Sequence, residues 1–432
     1  MVQITTTFIC PRQLLELPAY RQANDPTRAK MVGFCTLLCI SGGLYGEFVQ
    51  LPSSSLERFL SLKGFKTIRN AIATIIECDA HFSYRKEGHR KALGYRFTPQ
   101  ISAADFVAVQ LKTKSGQQFS EPSGQMYRPD VFVSGNLLPV HQKLFHCLSK
   151  FTIDAPNLPR ALESLPFVKQ VIATWNAQKW MKGEFFFIVG ETGRVYSSGS
   201  NLKKETRFIL LVNGEPIVEI DVSCCQPVLL SFLMKGYISD AEHQEFASLT
   251  QSGLLYDEIA SASNNSRENV KKALVKWLCG PWFFDEPFID FDWLALLSEY
   301  DRKEKLELHD SLTKVNQWFK VRFPDICEYM RSEKTNDEYY RLFNTAERRD
   351  AGRSTQPYAV IAHKLQRLES QIIIEDCCAS LFETYPSLPI LTAHDSLIVP
   401  ESMKEQVLEQ MTKSFMKKGL KPRITIKSNN KR

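Results

Sequence analysis

Two aspartates 174 positions apart carry the chemistry that this chain could perform. Asp221 closes an alternating apolar run, Pro216–Ile220. Asp395 lies where Leu388–Ala393 and Leu397–Val399 bracket His394-Asp395 as a hairpin. A carboxylate at a strand end or hairpin tip has fixed backbone behind it and an open side in front. Two such groups brought together repel, and a divalent cation relieves the repulsion. Taken alone, an aspartate at a hairpin tip is ordinary turn chemistry.

The helix expected over Arg267–Leu278 gives the pair a context. Arg267, Lys271, Val275 and Cys279 recur every four residues and form one slowly drifting stripe. Ser266 can cap the helix start, so two cations stand near an N-terminus that itself favours anions. That arrangement reads as a triphosphate cradle, with Val275 under the base or sugar and the small pair Cys279-Gly280 leaving room beyond. Lys272 and Lys276 lie off the stripe and read as solvated charge. The turn Thr192-Gly193-Arg194 joins Phe185–Val189 to Val195–Ser198 and precedes Asn201 and Leu202. An arginine beside small hydroxyl and amide groups suits contact with a duplex along its phosphates and sugar edge. By itself the same turn is a plain surface hairpin.

Together these elements resemble the family A nucleic-acid polymerases, the class of bacterial DNA polymerase I and the single-subunit phage RNA polymerases. Thr192-Gly193-Arg194, Ser197-Ser198 and Asn201-Leu202 resemble the family's TGR…SS…NL segment. Ile220-Asp221-Val222-Ser223 resembles motif A, and Arg267, Lys271 and Gly280 fit motif B. Thr392-Ala393-His394-Asp395-Ser396 resembles motif C in its H-D-S form. The four appear in the family's order, with 46 residues from Asp221 to Arg267 and 128 from Arg267 to Asp395, the spacing of the compact DNA polymerase I type. The match spans roughly Phe185–Val399, half of the chain, and leaves the first third unmatched.

The resemblance implies an α+β fold: a right-hand polymerase palm on an antiparallel sheet, helical fingers and a small helical thumb. It implies that Asp221, Asp395 and the Val222 carbonyl hold two Mg²⁺ ions, with Mn²⁺ as an alternative. Arg267 and Lys271 would bind the incoming triphosphate, and Lys271 would share in catalysis. Arg194, Thr192 and Asn201 would touch the primer–template, as would Gln366, with Glu369 and Gln371 as alternatives on the same helix. His394 would sit beside the primer's terminal phosphate. The departures concern the sugar and the base. Gln226 stands where the DNA polymerases exclude ribose with a glutamate, Val275 replaces an aromatic residue, and Cys279 replaces a tyrosine. A loosened gate and the H-D-S motif favour ribonucleotides, whereas the motif spacing favours deoxynucleotides.

The elements that must position these residues fall into three segments. Residues 1–130 form a basic accessory domain, 131–184 a thumb-like helical segment, and 185–432 the palm and fingers, with fingers at about 240–350. Residues 1–150 hold 18 Lys and Arg against 10 Asp and Glu, a net +8 of the chain's +6, so the remainder is slightly acidic. In the first segment, Ser54–Leu62 and Thr67–Cys78 read as helices joined by a turn at Gly64. A basic hairpin follows over His81–Pro99, carrying Arg90 and Lys91. Two helices and a basic hairpin suit a winged-helix-like contact with nucleic acid, and equally a solvated hairpin. Further on, Leu144–Phe151, Pro159–Lys182 and Tyr358–Glu383 read as helices.

Composition narrows the class. A 44% apolar and 24% charged chain is globular, and its longest mainly apolar stretch, Met31–Tyr45, falls short of a membrane span. Eleven irregularly spaced cysteines without a C-x2-C pattern suit a reducing cytoplasm. The expected activity is template-directed extension of a primer 3′-hydroxyl by a compact DNA polymerase without proofreading, with a helicase or primase as a partner. The alternatives are a single-subunit RNA polymerase or primase-like polymerase, and a catalytically silent nucleic-acid-binding replication protein.

Overall fold

The computed structural model describes residues 3–40, 48–50, 62–79, 94–101, 105–114, 137–165, 167–181, 183, 185–280, 299–335 and 357–428. The basic hairpin's Arg90 and Lys91, and the helix expected over Ser54–Leu62 up to its last residue, lie outside them. The chain divides into two compact units. One comprises Met1–Val131, Ala155–Phe186 and Leu296–Asp301; the other comprises Phe132–Asp154, Phe187–Ala295 and Arg302–Arg432.

The first unit is built around the helix Asp25–Ile40, whose Met31, Val32, Phe34, Cys35, Leu37 and Leu38 are all buried. A helix apolar on every side belongs inside a core. Among the described residues five strands accompany it: β1 (Gln3–Pro11), β2 (Val49–Gln50), β3 (Ile76–Asp79), β4 (Gly94–Phe97) and β5 (Phe106–Lys114). β1 pairs antiparallel with β5, and β2, β4 and β3 form a second antiparallel sheet in that order. Phe34 meets Tyr95 edge-on at 5.5 Å, and Phe97 meets Phe106 at 5.1 Å.

Here the structure departs from the helix expected over Thr67–Cys78. The helix runs Leu62–Ala71, with Gly64 inside it, and Ile76–Asp79 is a strand. Ile68, Ile72, Ile75 and Ile76 keep helical spacing and are all buried, so periodicity alone continues the helix. From Ile76 the backbone instead pairs with Phe97, and the ladder with β4 replaces further helix.

The second unit holds β6 (Phe151–Ile153), β7 (Phe187–Val189), β8 (Val195–Ser197), β9 (Leu210–Val212), β10 (Glu215–Val222), β11 (Leu391–Ala393), β12 (Ser396–Pro400) and β13 (Ile424–Ser428). Its main sheet runs β11-β12-β10-β9-β6 and is antiparallel throughout, with β13 also paired to β10. β10 therefore has strands on both edges, and Ile217, Val218, Ile220 and Val222 are buried. β7 and β8 form the expected hairpin around Thr192-Gly193-Arg194. The segment expected as helix over Leu144–Phe151 is the end of a helix at Cys147, a 3-10 turn, and at Phe151 the start of β6.

The unit's longer helices are α1 (Pro139–Cys147), α2 (Cys225–Met234), α3 (Asp240–Gln251), α4 (Leu255–Ser263), α5 (Arg267–Cys279) and α6 (Glu299–Arg322, whose first residues group with the other unit). They continue with α7 (Pro324–Lys334), α8 (Val360–Ser370), α9 (Ala379–Thr384) and α10 (Lys404–Met416). The helix expected over Tyr358–Glu383 is continuous but not uniform. Between α8 and α9, Gln371–Cys378 has the wider π geometry, a form found mostly in short stretches at functional sites.

α5 is fixed from behind by aromatic packing. Trp277 stacks on Phe319 with ring centroids 4.1 Å apart, and its indole N–H donates to the Asn316 side chain at 3.3 Å. Phe246 and Phe323 continue the cluster. All eleven cysteines are free thiols, and no described helix is long and apolar enough to cross a membrane. Trp277→Ala empties the centre of the aromatic cluster and is expected to lower stability by roughly 3–5 kcal/mol. Urea unfolding followed by tryptophan-independent circular dichroism checks this, and a loss under about 1 kcal/mol would show that α5 is anchored elsewhere.

Candidate active site

The site begins with a strand register. In the β10–β12 ladder Asp221 stands opposite Ser396, which places Asp395 one residue beyond, at the mouth of the β11–β12 turn. Burial, then the negative charge of Asp221, then that of Glu369 push the Asp395 carboxyl up to about 7. The Lys271 ammonium acts on the same carboxyl in the opposite direction. The two aspartates that the sequence singles out, and one of the two cations on the α5 stripe, therefore share one electrostatic neighbourhood.

Backbone strain surrounds the pair. Among the described residues four non-glycines have positive φ; two are the asparagines Asn213 and Asn264, which tolerate it. The others are Cys224 (φ 54°), three residues after Asp221, and His394 (φ 58°), immediately before Asp395. Each left-handed non-glycine costs on the order of 1 kcal/mol or more and persists only where the surroundings dictate it. His394 lies exposed at the turn.

α5 presents its cationic stripe to solvent. Arg267, Lys271 and Val275 are exposed, while Val270, Ala273, Leu274, Trp277 and Leu278 are buried behind them. The Ser266 hydroxyl accepts from the Asn269 N–H at 3.1 Å, the cap expected from sequence. Arg267 is held by Asp257 at 2.9 Å and lies over the Tyr256 ring at 5.4 Å. Val275 is 46% exposed, so its methyls face outward with no core to fill. Cys279 is half-buried at the far end. Lys334, from α7, is buried there and donates to the carbonyls of Trp277 (2.8 Å) and Gly280 (2.9 Å), closing the end of α5; burial pulls its ammonium down to about 7.

A buried carboxylate, Glu369, organises the rest. Only 2% of its side chain is exposed, and Arg194 grips both its oxygens, Nε at 2.8 Å and Nη2 at 2.7 Å. Desolvation opposes the Arg194 charge, but the Glu369 carboxylate more than compensates and raises the guanidinium pKa. Gln226 donates its amide N–H to the same carboxylate. Thr192 approaches Gln366 at 3.5 Å, and Gly193 packs onto α8 with φ 80°. A Cβ at Gly193 would come within 2.8 Å of Arg367 and 3.3 Å of Ser370, so conformation and space both require glycine. Thr192, Arg194, Gln366, Glu369 and Gln226 thus meet within the protein, while Asn201 is exposed at the end of the short helix Ser198–Asn201.

Sequence reasoning missed two partners. Glu369 appeared only as an alternative to Gln366, although its spacing from Ile361 and Leu365 already puts it on the buried face of α8. Lys427, whose ammonium bonds to Asp221, lies 206 residues further along the chain, and nothing local in the sequence marks the pair. No group of three or more His, Cys, Asp or Glu side chains among the described residues is placed to hold a metal. The donors at hand are Asp221, Asp395 and backbone carbonyls such as that of Val222, a set that suits a hard cation completed by water and phosphate oxygens.

No protein-family model matches the chain, and no curated protein matches it in sequence. Among solved structures it is similar to the POL domain of Pol1 from M. smegmatis, in complex with DNA primer-template and dNTP, at 15% identity and a TM-score of 0.37. That match covers 64% of this chain and 55% of the other, so the chain spans about half of the protein it resembles.

Two expectations follow. The Asp395 carboxyl sits above its ordinary 3.8, so its ionisation costs folded-state stability as pH rises from there through about 7. In EDTA, Asp395→Asn should therefore raise the Tm by a few degrees at pH 8, with the difference fading towards pH 4 in melting curves. A pH-independent difference would deny the shared charge. Gly193→Ala should cost about 1–2 kcal/mol from the left-handed backbone alone, whereas an unchanged denaturation midpoint would mean that the turn can leave α8.

Proposed function

We propose that the second unit is a template-directed nucleotidyltransferase that extends a primer 3′-hydroxyl with nucleoside triphosphates, as a compact DNA polymerase without proofreading. One observation carries this reading: the β10–β12 register brings Asp221 beside Asp395, with the charge of Lys271 acting on the same carboxyl. A repelling carboxylate pair beside exposed cations is a site for divalent ions carrying phosphate.

In this reading Asp221, Asp395 and the Val222 carbonyl hold two Mg²⁺ ions, or Mn²⁺ in their place. Bound there, the ions would supply charge neutralisation at the attacking hydroxyl and the departing pyrophosphate. Arg267 and Lys271 bind the triphosphate through charge-assisted hydrogen bonds, with Lys271 Nζ directed at the oxygens that gain charge. The exposed Val275 faces the base, and Gln226, fixed by Glu369, stands beside the sugar. Arg194 sets the Glu369 carboxylate and, with Thr192, Gln366, Asn201 and His394, borders the path of the primer–template. The work of the site is positioning and charge balance, which a few fixed side chains can perform.

A second reading, a catalytically silent nucleic-acid-binding protein, is favoured by one observation: Lys427 already neutralises Asp221. Primer extension separates the two. Wild-type chain should extend a primed template with Mg²⁺ or Mn²⁺, and Asp221→Asn should lower the rate by about 100-fold or more with template affinity unchanged. Lys271→Ala should raise the nucleotide KM and lower kcat. Binding of primer–template without extension under any of these conditions would establish the silent protein instead. Running dNTPs against NTPs in the same assay reads the sugar preference, which Gln226→Glu should move towards deoxynucleotides.

A further inference from the structure

The C-terminal strand brings a cation to Asp221. β13 pairs with β10 so that Thr425 stands opposite Asp221 and Lys427 opposite Glu219. Residues two apart on a strand share a face, so Glu219, Asp221 and Lys427 project from the same side of the sheet. The nearest acid to Lys427 by register is Glu219, but that carboxylate is buried and already held by Arg207 at 3.1 Å and by the Ser396 hydroxyl at 3.4 Å. The Lys427 side chain therefore runs along the strand and places its ammonium on the Asp221 carboxylate. Both partners remain partly open to water, at 38% and 23% side-chain exposure, so the pair can separate without burying an unpaired charge.

We propose that Lys427 is a built-in counter-cation for Asp221, which a divalent ion must displace in order to bind. This rests on the assignment of Asp221 and Asp395 as the metal-holding pair. Loading of the site is then an exchange of one cation for another. The ammonium keeps Asp221 from repelling Asp395 while no metal is present, and it withdraws along an edge strand when one arrives. Its cost to metal affinity follows from two terms, the ion pair that must break and the like-charge repulsion that stays nearby. The freed ammonium lies next to the bound ion, where phosphate oxygens of a substrate could receive it.

The test is a Mn²⁺ binding isotherm on the full chain, read from the electron paramagnetic resonance signal of free Mn²⁺ and requiring no turnover. Lys427→Met and Lys427→Gln should each tighten Mn²⁺ binding about three- to tenfold. Lys427→Arg should bind as the wild type does. Lys413→Met removes a lysine that pairs with Glu409 on α10 and is the control for net charge. Circular dichroism establishes that each variant is folded, and the two neutral variants keep the result from hanging on either one. Unchanged or weaker binding in both neutral variants overturns the counter-cation, as does an equal gain in Lys413→Met. Should wild type and every Lys427 variant bind no more Mn²⁺ than the double variant Asp221→Asn, Asp395→Asn, the metal-holding pair itself falls, and the counter-cation with it.

Discussion

Everything at the site depends on the ladder between β10 and β12. Side chains alternate faces along a strand, so slipping this pairing by one residue would turn Asp221 to the opposite side of the sheet from where it now stands. The register is held by apolar pairs on both faces, Ile217 with Pro400, Val218 with Val399 and Ile220 with Leu397. Those residues do no chemistry, yet they decide which carboxylates come under each other's influence. The repulsion built into the pair is stored against that framework, together with the left-handed backbone at Cys224 and His394.

Glu369 is the second constraint, and it acts by occupying groups that would otherwise be free. A carboxylate this deeply buried is tolerable only when its charge is met, and Arg194 meets it with a two-pronged grip while Gln226 adds a further donor. Three distant segments, the β7–β8 turn, the start of α2 and the end of α8, are thereby tied to one acidic side chain. Because both Glu369 oxygens accept from Arg194, the Gln226 amide presents its N–H side to the carboxylate, which fixes the direction of its carbonyl. The π-helical stretch begins two residues later, so the backbone changes geometry where the tie ends.

Local patterns were legible in the sequence, and long-range ones were not. The strand carrying Asp221, the hairpin bearing Asp395 and the capped helix from Arg267 each follow from periodicity and capping within a dozen residues. The strand Ile76–Asp79 escaped because its isoleucines satisfy a helical period as well, and the deciding ladder lies on β4. The π geometry of Gln371–Cys378 leaves no mark on a pattern read at 3.6 residues per turn. Arg194 and Lys427 carried visible charge, but their partners lie 175 and 206 residues away. A sequence displays a charge long before it displays what the charge rests on.

Whether Asp221 and Asp395 hold one cation between them is decided by crystallography of the protein with Mn²⁺. An anomalous scattering peak is expected at roughly 2.0–2.3 Å from a carboxylate oxygen of each aspartate, with Lys427 moved off Asp221. A peak bound by only one of the two, or no peak between them at saturating Mn²⁺, would contradict a shared cation.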